Sequence, residues 1–571
     1  MNRKTLITGL AIVAVIFIAA GFRLYDIHHY PPGLFPDQAA NGEDVRLILE
    51  GDVRPFYPRG NGREGLFFLL QAVAVNWFGG GVWPLLATSA VVGILTVGAV
   101  FFATRIFFGR LSGILAALFL ATNHWHVTLS RTGFRAILIP LFVAAFTAFV
   151  GYAVAAAKQK KTSRSLVYAV LAGACFMGGF YTYIAYRIMV GVVLGMLLLM
   201  LLAALHPQIG FPHLRRYRWQ LVAAVVAGCL VFLPLGLYFW HHPDAFVGRA
   251  GQVSVFNQDL QNQYGGGQLV PTILYSLRAT LLSFFVGPGD LNWRHAVPGF
   301  PLLNPLVGLL FLLGLAWTIH GTVMVAYKLR RGEEEHLGFV YPYLLLLLLG
   351  MLVPVITTAE GLPHGLRSIG LAVPIFMLAG TAGSVCLYWI KRKLPLNFQA
   401  AGVGLAVGAV LVAAAYDGAL YFLIARNDSA AYYAYRGDLT EVAAFINEHH
   451  ARFPDAPRPY LVLDPFSLQT IHYLTAVAAH DHVVGDEVHP DEAQHTWVQL
   501  DPATSERTTL QAEQIIIFTQ STIVDADRYG AMHPEVEVVA SRRNRWGKEI
   551  LRVYQRAGTS PPAEEIDSLD A

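Results

Sequence analysis

The chain has 571 residues, of which 55% are hydrophobic and 14% charged, with a net charge of +3. Soluble globular chains carry about 25% charged residues, so the composition excludes an ordinary soluble enzyme and points to many membrane helices. The small net charge, with no long basic tract, speaks against nucleic acid, and the three scattered cysteines (Cys175, Cys229, Cys386) exclude a disulfide framework or a zinc knuckle.

Arg3 and Lys4 precede an apolar run over 6–22. The run is long, lacks a small-residue cleavage site and is followed by further apolar segments, so it reads as a retained signal-anchor helix. With ~20 apolar residues needed to cross a bilayer, spans are expected at 5–22, 82–104, 113–129, 134–157, 166–184, 188–205, 219–240, 302–327, 339–358, 366–390 and 398–424. Lysine sets the orientation. With eleven spans and a cytoplasmic N-terminus, Lys4, Lys158, Lys160, Lys161, Lys328, Lys391 and Lys393 all fall inside, as the positive-inside rule requires. Treating 66–78 as a span would push Lys158–Arg164 outside, so 66–78 and 271–287 read as interfacial or re-entrant helices. The expectation is a multi-pass plasma-membrane protein with its C-terminus outside.

The first outer loop, about 23–81, is long and polar. Its prolines at 31, 32 and 36 lead into a helix starting near Asp37, a residue type that also suits an N-cap. Arg63 and Glu64 precede the 66–78 helix. Farther along, Arg131 and Arg135 flank an outer turn; Tyr183 and Arg187 form a second group; Asp290, Asn292, Arg294 and His295 form a third; His364 and Arg367 lie before a span. The outer loops hold arginines but no lysine: Arg46, Arg54, Arg59, Arg249 and Arg278 complete the set. Arginine forks suit phosphate and carboxylate, so the set suggests a shared anionic ligand. His124/His126 and His241/His242 lack the i, i+4 spacing of a helical metal pair and read as aromatic-belt or capping residues. No Gly-rich nucleotide loop is present.

From about 428 the character changes. Helices at 439–449 and 467–476 alternate with strands at 459–464, 514–519, 535–540 and 549–554, as in a small α/β domain. The expected division is a membrane domain over 1–427, a soluble extracytoplasmic domain over 428–556 and a disordered tail over 557–571.

The stretches PPGLFPDQAANGEDVRLILEG, NGREGLFFLLQA and RIFFGRLSGILAALFLATNHWHVTLSRTGFRAIL, with GFYTYIAYR, GPGDLNWRHAVPG and GLPHGLRSIG, resemble bacterial GT-C glycosyltransferases of the family 39 kind. These are relatives of protein O-mannosyltransferases and aminoarabinose transferases, and the resemblance covers about 1–425. It implies a mainly α fold of about eleven spans plus interfacial helices, with the active site on the non-cytoplasmic face. It also implies a polyprenyl-phosphate sugar as donor, inversion at the anomeric carbon and a glycan, lipid or protein acceptor within the cell envelope. An acidic residue early in the first outer loop is the family's general base, and Asp37 matches it. The family often has Asp-Glu there; this chain has Asp37-Gln38, which makes Gln38 a substrate contact rather than a second carboxylate. Glu64 is the next catalytic carboxylate.

Departure of the lipid phosphate calls for cationic donors beside the carboxylate. His364 and Arg367 are the leading candidates, supported by Arg63, Arg131, Arg135, Tyr183 and Arg187. Asp290, Asn292, Arg294 and His295 suit the substrate rim. Some GT-C enzymes use a divalent metal and others do not; the sequence leaves that open. Two other classes compete with the enzyme: a lipid-linked-sugar transporter or flippase, and an assembly factor whose membrane part only anchors it.

Overall fold

The structure is a computed structural model that describes residues 3–60, 62–205, 212–246, 254–331, 338–358, 361–475, 482–484, 487–489 and 495–558. The expected Arg249, the expected tail from 559 and Glu360 beside the GLPHGLRSIG stretch lie outside the described residues.

Among the described residues, nine helices are long and apolar enough to cross a membrane: Thr5–Leu24, Val82–Phe108, Arg135–Lys158, Thr162–Tyr181, Ile184–Ala204, Tyr217–His241, Pro305–Arg330, Arg367–Lys393 and Leu396–Ala425. Each coincides with an expected span. The other two expected spans differ in form. The run expected over 113–129 is broken into Arg110–Thr122 and His124–Arg131. Asn123 makes the break: its backbone leaves helical geometry, its Oδ1 accepts from the His126 amide, and its Nδ2 donates to the Leu302 carbonyl 3.0 Å away. That is N-capping by Asn. The run at 339–358 forms the shorter helix Val340–Ile356, and 66–78 and 271–287 form Leu66–Phe78 and Leu269–Phe285, also shorter than the nine.

The chain divides into two compact units. The first, the membrane unit, comprises Met1–Ile27, Arg54–Phe67 and Leu86–Ala425. At its centre the helix from Ala372 is buried on all sides as far as Gly383. Glycines let neighbouring backbones approach it. A Cβ on Gly380 would lie 2.4 Å from the Ala116 amide nitrogen, and one on Gly314 2.4 Å from the Leu378 carbonyl. Small-residue packing of this kind is how membrane helices gain close dispersion contact.

The second unit comprises His28–Val53, Phe68–Leu85 and Arg426–Ala571. Its sheet has strands β1 (Tyr460–Val462), β2 (Val498–Leu500), β3 (Ile515–Thr519), β4 (Val536–Arg543) and β5 (Glu549–Arg556), in the order β2-β1-β3-β5-β4. The β2-β1-β3 part is parallel, and β5 pairs antiparallel with β3 and β4. All five residues of β3 are buried, which explains its unbroken Ile-Ile-Ile-Phe run. The expected strands and helices each have a counterpart here; β2 was not among the expected strands.

The first-loop helix, Pro36–Leu49, packs within this second unit on the helix Pro465–Thr475. Gly42 faces the Tyr473 ring so closely that a Cβ would sit 2.3 Å from it. Glu43 Oε1 lies 3.0 Å from His472 Nδ1, and Arg46 donates to the Tyr473 carbonyl at 2.6 Å while stacking on its ring. Leu34 is held at both ends, its amide by Thr440 Oγ1 and its carbonyl by Thr470 Oγ1. The loop that carries Asp37 is thus fastened to the C-terminal fold by side chains some 400 residues away, at separations of 406 to 436 residues.

Candidate functional site

In the membrane unit, the outer groups singled out in the sequence converge on the turn that follows His124–Arg131. Thr132 Oγ1 donates to the Arg294 carbonyl at 3.0 Å, Phe134 lies against His295, and the Arg294 guanidinium sits over the Phe134 ring. Asp290 is the hub. Its Oδ2 accepts the Gly365 amide at 2.6 Å and lies 2.8 Å from His295 Nδ1; its Oδ1 accepts the Asn292 amide at 2.8 Å. Asn292 Oδ1 in turn accepts the Arg294 amide. Trp125, fully buried, donates its indole N–H to the Gly365 carbonyl at 2.9 Å. The peptide of Gly365 is therefore pinned on both sides, and this fixes His364 and Arg367 beside it.

His295 and His364 stack with centroids 4.6 Å apart, and the Arg367 amide points at His364 Nδ1. Burial, then the nearby His295, Arg367 and Arg294, hold the His364 imidazole well below its usual pKa, so it is neutral. Asp290 holds the His295 ring through Nδ1, whose N–H donates to the carboxylate. Arg367 is 9% exposed at the start of its helix, where a charge is costly unless used.

A second group forms around Glu64. This carboxylate, 2% exposed, lies 3.7 Å from Arg135 Nε and 3.5 Å from Arg187 Nη2. Arg135 stacks on Tyr183 and Arg187 on Phe239 and Phe246. Arg63 and Glu64 form a short antiparallel pairing with Phe56 and Tyr57 that orients them. Four of the expected residues (Glu64, Arg135, Tyr183, Arg187) thus meet. Arg131 does not join them. It is fully buried, donates to the Phe22 and Tyr25 carbonyls and lies over Tyr421 and Phe422, which places it in packing rather than on an open rim.

In the second unit, Asp37 is exposed in the first turn of its helix. It is not the N-cap: Phe35 holds that position, with Pro36 opening the helix. The adjacent Gln38 is 2% exposed, and neither polar atom of its amide has a hydrogen-bond partner among the described residues. Buried amides without partners are rare and call for an explanation.

The structure also corrects the reading of His124 and His126 as belt or capping side chains. Both are fully buried. His124 Nδ1 lies 2.7 Å from Asp417 Oδ1, whose other oxygen accepts from Asn304, and His126 Nδ1 accepts from Arg23. Sequence reasoning missed Trp125, Asp417 and Arg23. An acid within the apolar run 398–424 and an arginine closing the first span were visible signals.

Asp290, His295 and His364 each offer a ligand atom within 4.8 Å of the others, the type of donor set that suits zinc and similar divalent ions. Both Asp290 oxygens already accept N–H groups, so it fits best as the carboxylate that orients His295, leaving the imidazoles as ligands.

No protein-family model and no curated protein matches this chain. Solved structures do. The oligosaccharyltransferase AglB from Archaeoglobus fulgidus, in complex with an inhibitory peptide and a dolichol-phosphate, is similar over 99% of this chain and 76% of its own, at 12% identity and TM-score 0.50. The Archaeoglobus fulgidus oligosaccharyltransferase in its apo form matches over 97% and 75%, at 13% identity and TM-score 0.51. ArnT from Cupriavidus metallidurans in the apo state matches over 96% and 97%, at 14% identity and TM-score 0.50. At these identities the likeness is one of fold: the chain has the GT-C fold of these membrane proteins.

Proposed function

We propose that this protein transfers a sugar from a polyprenyl-phosphate donor to an acceptor hydroxyl on the non-cytoplasmic face of the membrane. The observation that carries the reading is the convergence of Arg294, His295, His364 and Arg367 on the Asp290–Gly365 hub, in a chain with the GT-C fold. The AglB structure of the same fold holds a dolichol-phosphate, and the arginines here suit such a phosphate monoester.

In this mechanism Asp37 accepts the proton of the acceptor hydroxyl as its oxygen attacks the anomeric carbon. The bond from that carbon to the phosphate oxygen breaks, and polyprenyl phosphate leaves with the electron pair. Attack opposite the leaving group inverts the anomeric centre. Arg367 and Arg294 stabilise the departing phosphate with His364 beside them, and Arg63, Arg135, Tyr183 and Arg187 form the rest of the donor-binding set with Glu64 orienting the arginines. Gln38 is the substrate contact beside the base, which explains its buried amide without a partner. The acceptor is a glycan, a lipid or a protein. A divalent cation, when bound, would be held by His295 and His364 and would neutralise phosphate charge there. In this reading the membrane domain spans 1–427 and the soluble domain 428–556, and the loop that bears Asp37 is fastened to the latter through Thr440 and Thr470.

Binding separates the phosphate-holding groups from the base. Polyprenyl phosphate should bind the purified protein with a Kd raised at least about tenfold by Arg367→Ala, the loss of one charge-assisted contact of about 1.5–3 kcal/mol. Lys391→Ala, at the other end of the same helix, should leave the Kd unchanged. Equal affinity of the wild type and Arg367→Ala removes Arg367 from the donor site.

A further inference from the structure

The hairpin joining β4 to β5 turns over Asn544–Lys548. From Ser541 to Lys548 the chain has four basic residues, Arg542, Arg543, Arg545 and Lys548, and no acidic one. The turn is firmly built. Asn544 Oδ1 accepts the Trp546 and Lys548 amides, its Nδ2 donates to the Tyr433 hydroxyl at 2.7 Å, and Gly547 takes the positive φ of 76° that closes the turn. Arg542 folds inward, 2.9 Å from Glu448 and over the Phe445 ring. Arg543, Arg545, Trp546 and Lys548 are exposed. Among the described residues, none of these three cations forms an ion pair with a carboxylate, and the adjoining Glu549 is taken by Arg552 at 2.6 Å. Arg543 donates to the Gly547 carbonyl, the Arg545 guanidinium covers the Trp546 ring at 4.2 Å, and the Lys548 ammonium lies 4.9 Å from the Tyr433 ring centre.

A backbone contact places this tip along the chain. Arg545 donates to the Arg426 carbonyl. Arg426 directly follows Ala425, where the last long apolar helix ends, and helical geometry continues through Asn427. Leu423 and Ile424, one turn earlier, are exposed apolar side chains. The tip therefore lies against the end of a membrane-spanning helix, where hydrocarbon gives way to head groups. Trp546 faces Tyr432 with ring centres 5.5 Å apart, and Tyr433 extends the aromatic group. Tryptophan and tyrosine gather at that level of the bilayer, with the ring in the interface and the polar edge in water.

We infer that the β4–β5 hairpin tip is a membrane-surface anchor: Arg543, Arg545 and Lys548 hold the phosphates of anionic phospholipid head groups, and Trp546 seats in the bilayer interface. Basic side chains beside a spanning helix are drawn to anionic lipid, and arginine forks match phosphate oxygens. The turn is already shaped by Asn544 and Gly547, so little conformational freedom is lost on contact. The anchor gives the C-terminal fold a hold on the bilayer beyond its covalent link to the last span. It uses none of the residues assigned to sugar transfer.

Amide hydrogen exchange of the full-length protein tests this in three settings: nanodiscs of phosphatidylcholine, nanodiscs of phosphatidylcholine with phosphatidylglycerol, and detergent micelles free of phospholipid. Peptides over 541–550 should exchange at least about tenfold more slowly in the phosphatidylglycerol discs than in the micelles, with the phosphatidylcholine discs between. Raised salt should shrink the difference between the two discs. The double variant Arg545→Gln/Lys548→Gln should remove most of that difference, at about fivefold per cation. Trp546→Ala should speed exchange in both discs. Unchanged protection of β3 reports that each variant folds, and the wild-type comparison needs no variant. Equal exchange in the two discs would overturn the assignment and leave a solvated turn. Equal protection in micelles would overturn it too, since the tip would then be covered by protein and not by lipid. So would an undiminished phosphatidylglycerol effect in the folded double variant. The readout is exchange at the tip, so it stands or falls apart from sugar transfer.

Discussion

Asp37→Asn lowers sugar transfer by about 10²–10⁴-fold, the usual contribution of a general base, while polyprenyl-phosphate binding stays at the wild-type level. The substitution is isosteric and the side chain is exposed, with Phe35 rather than Asp37 at the cap, so the helix should keep its fold. An aspartate in the first turn gains only about 0.3–1 kcal/mol from the helix dipole, too little to confuse the result with unfolding. Single-turnover transfer and equilibrium donor binding, measured on the same preparation, separate chemistry from affinity. Unchanged transfer in Asp37→Asn would remove this residue from the mechanism and turn attention to Glu64.

Asp290→Ala is expected to cost stability as well as activity. Three donors converge on this carboxylate: His295 Nδ1–H and the Gly365 and Asn292 amides. Each buried donor left without an acceptor costs about 1–3 kcal/mol, so the loss should reach about 3 kcal/mol or more. Asp290→Asn keeps an acceptor oxygen and should lose less. Transfer should fall in both, because Gly365 carries His364 and Arg367. Detergent-solubilised thermal unfolding, run beside the transfer assay, checks the ranking. A variant Asp290→Ala as stable as wild type would mean that the hub is not what holds this loop.

The sequence reading reached the apolar helices because hydropathy is a local signal. Among the described residues, all nine long helices fall on expected spans; the expected span at 113–129 is broken by Asn123 as an internal cap, and that at 339–358 is the shorter helix Val340–Ile356. The residues of the candidate site were visible by type, as arginines and histidines next to the ends of apolar runs. Their grouping was not, since Asp290 and Gly365 are 75 residues apart and only tertiary packing joins them. Trp125 was hidden for the same reason: an indole in an apolar run looks like any core aromatic until its N–H is seen on the Gly365 carbonyl. The fastening of the first loop to the C-terminal fold through Glu43 and His472 also has no sequence signal, because one partner looks like helix surface and the other like a solvated histidine.

The measurement that bears most directly on the central claim follows both halves of a labelled donor. Purified protein in proteoliposomes is given a panel of polyprenyl-phosphate sugars with glycan, lipid and protein acceptors. One donor should be consumed, with free polyprenyl phosphate and glycosylated acceptor formed in equal amounts. Movement of the intact donor across the bilayer, with no polyprenyl phosphate released, would contradict it and identify the protein as a transporter of lipid-linked sugar.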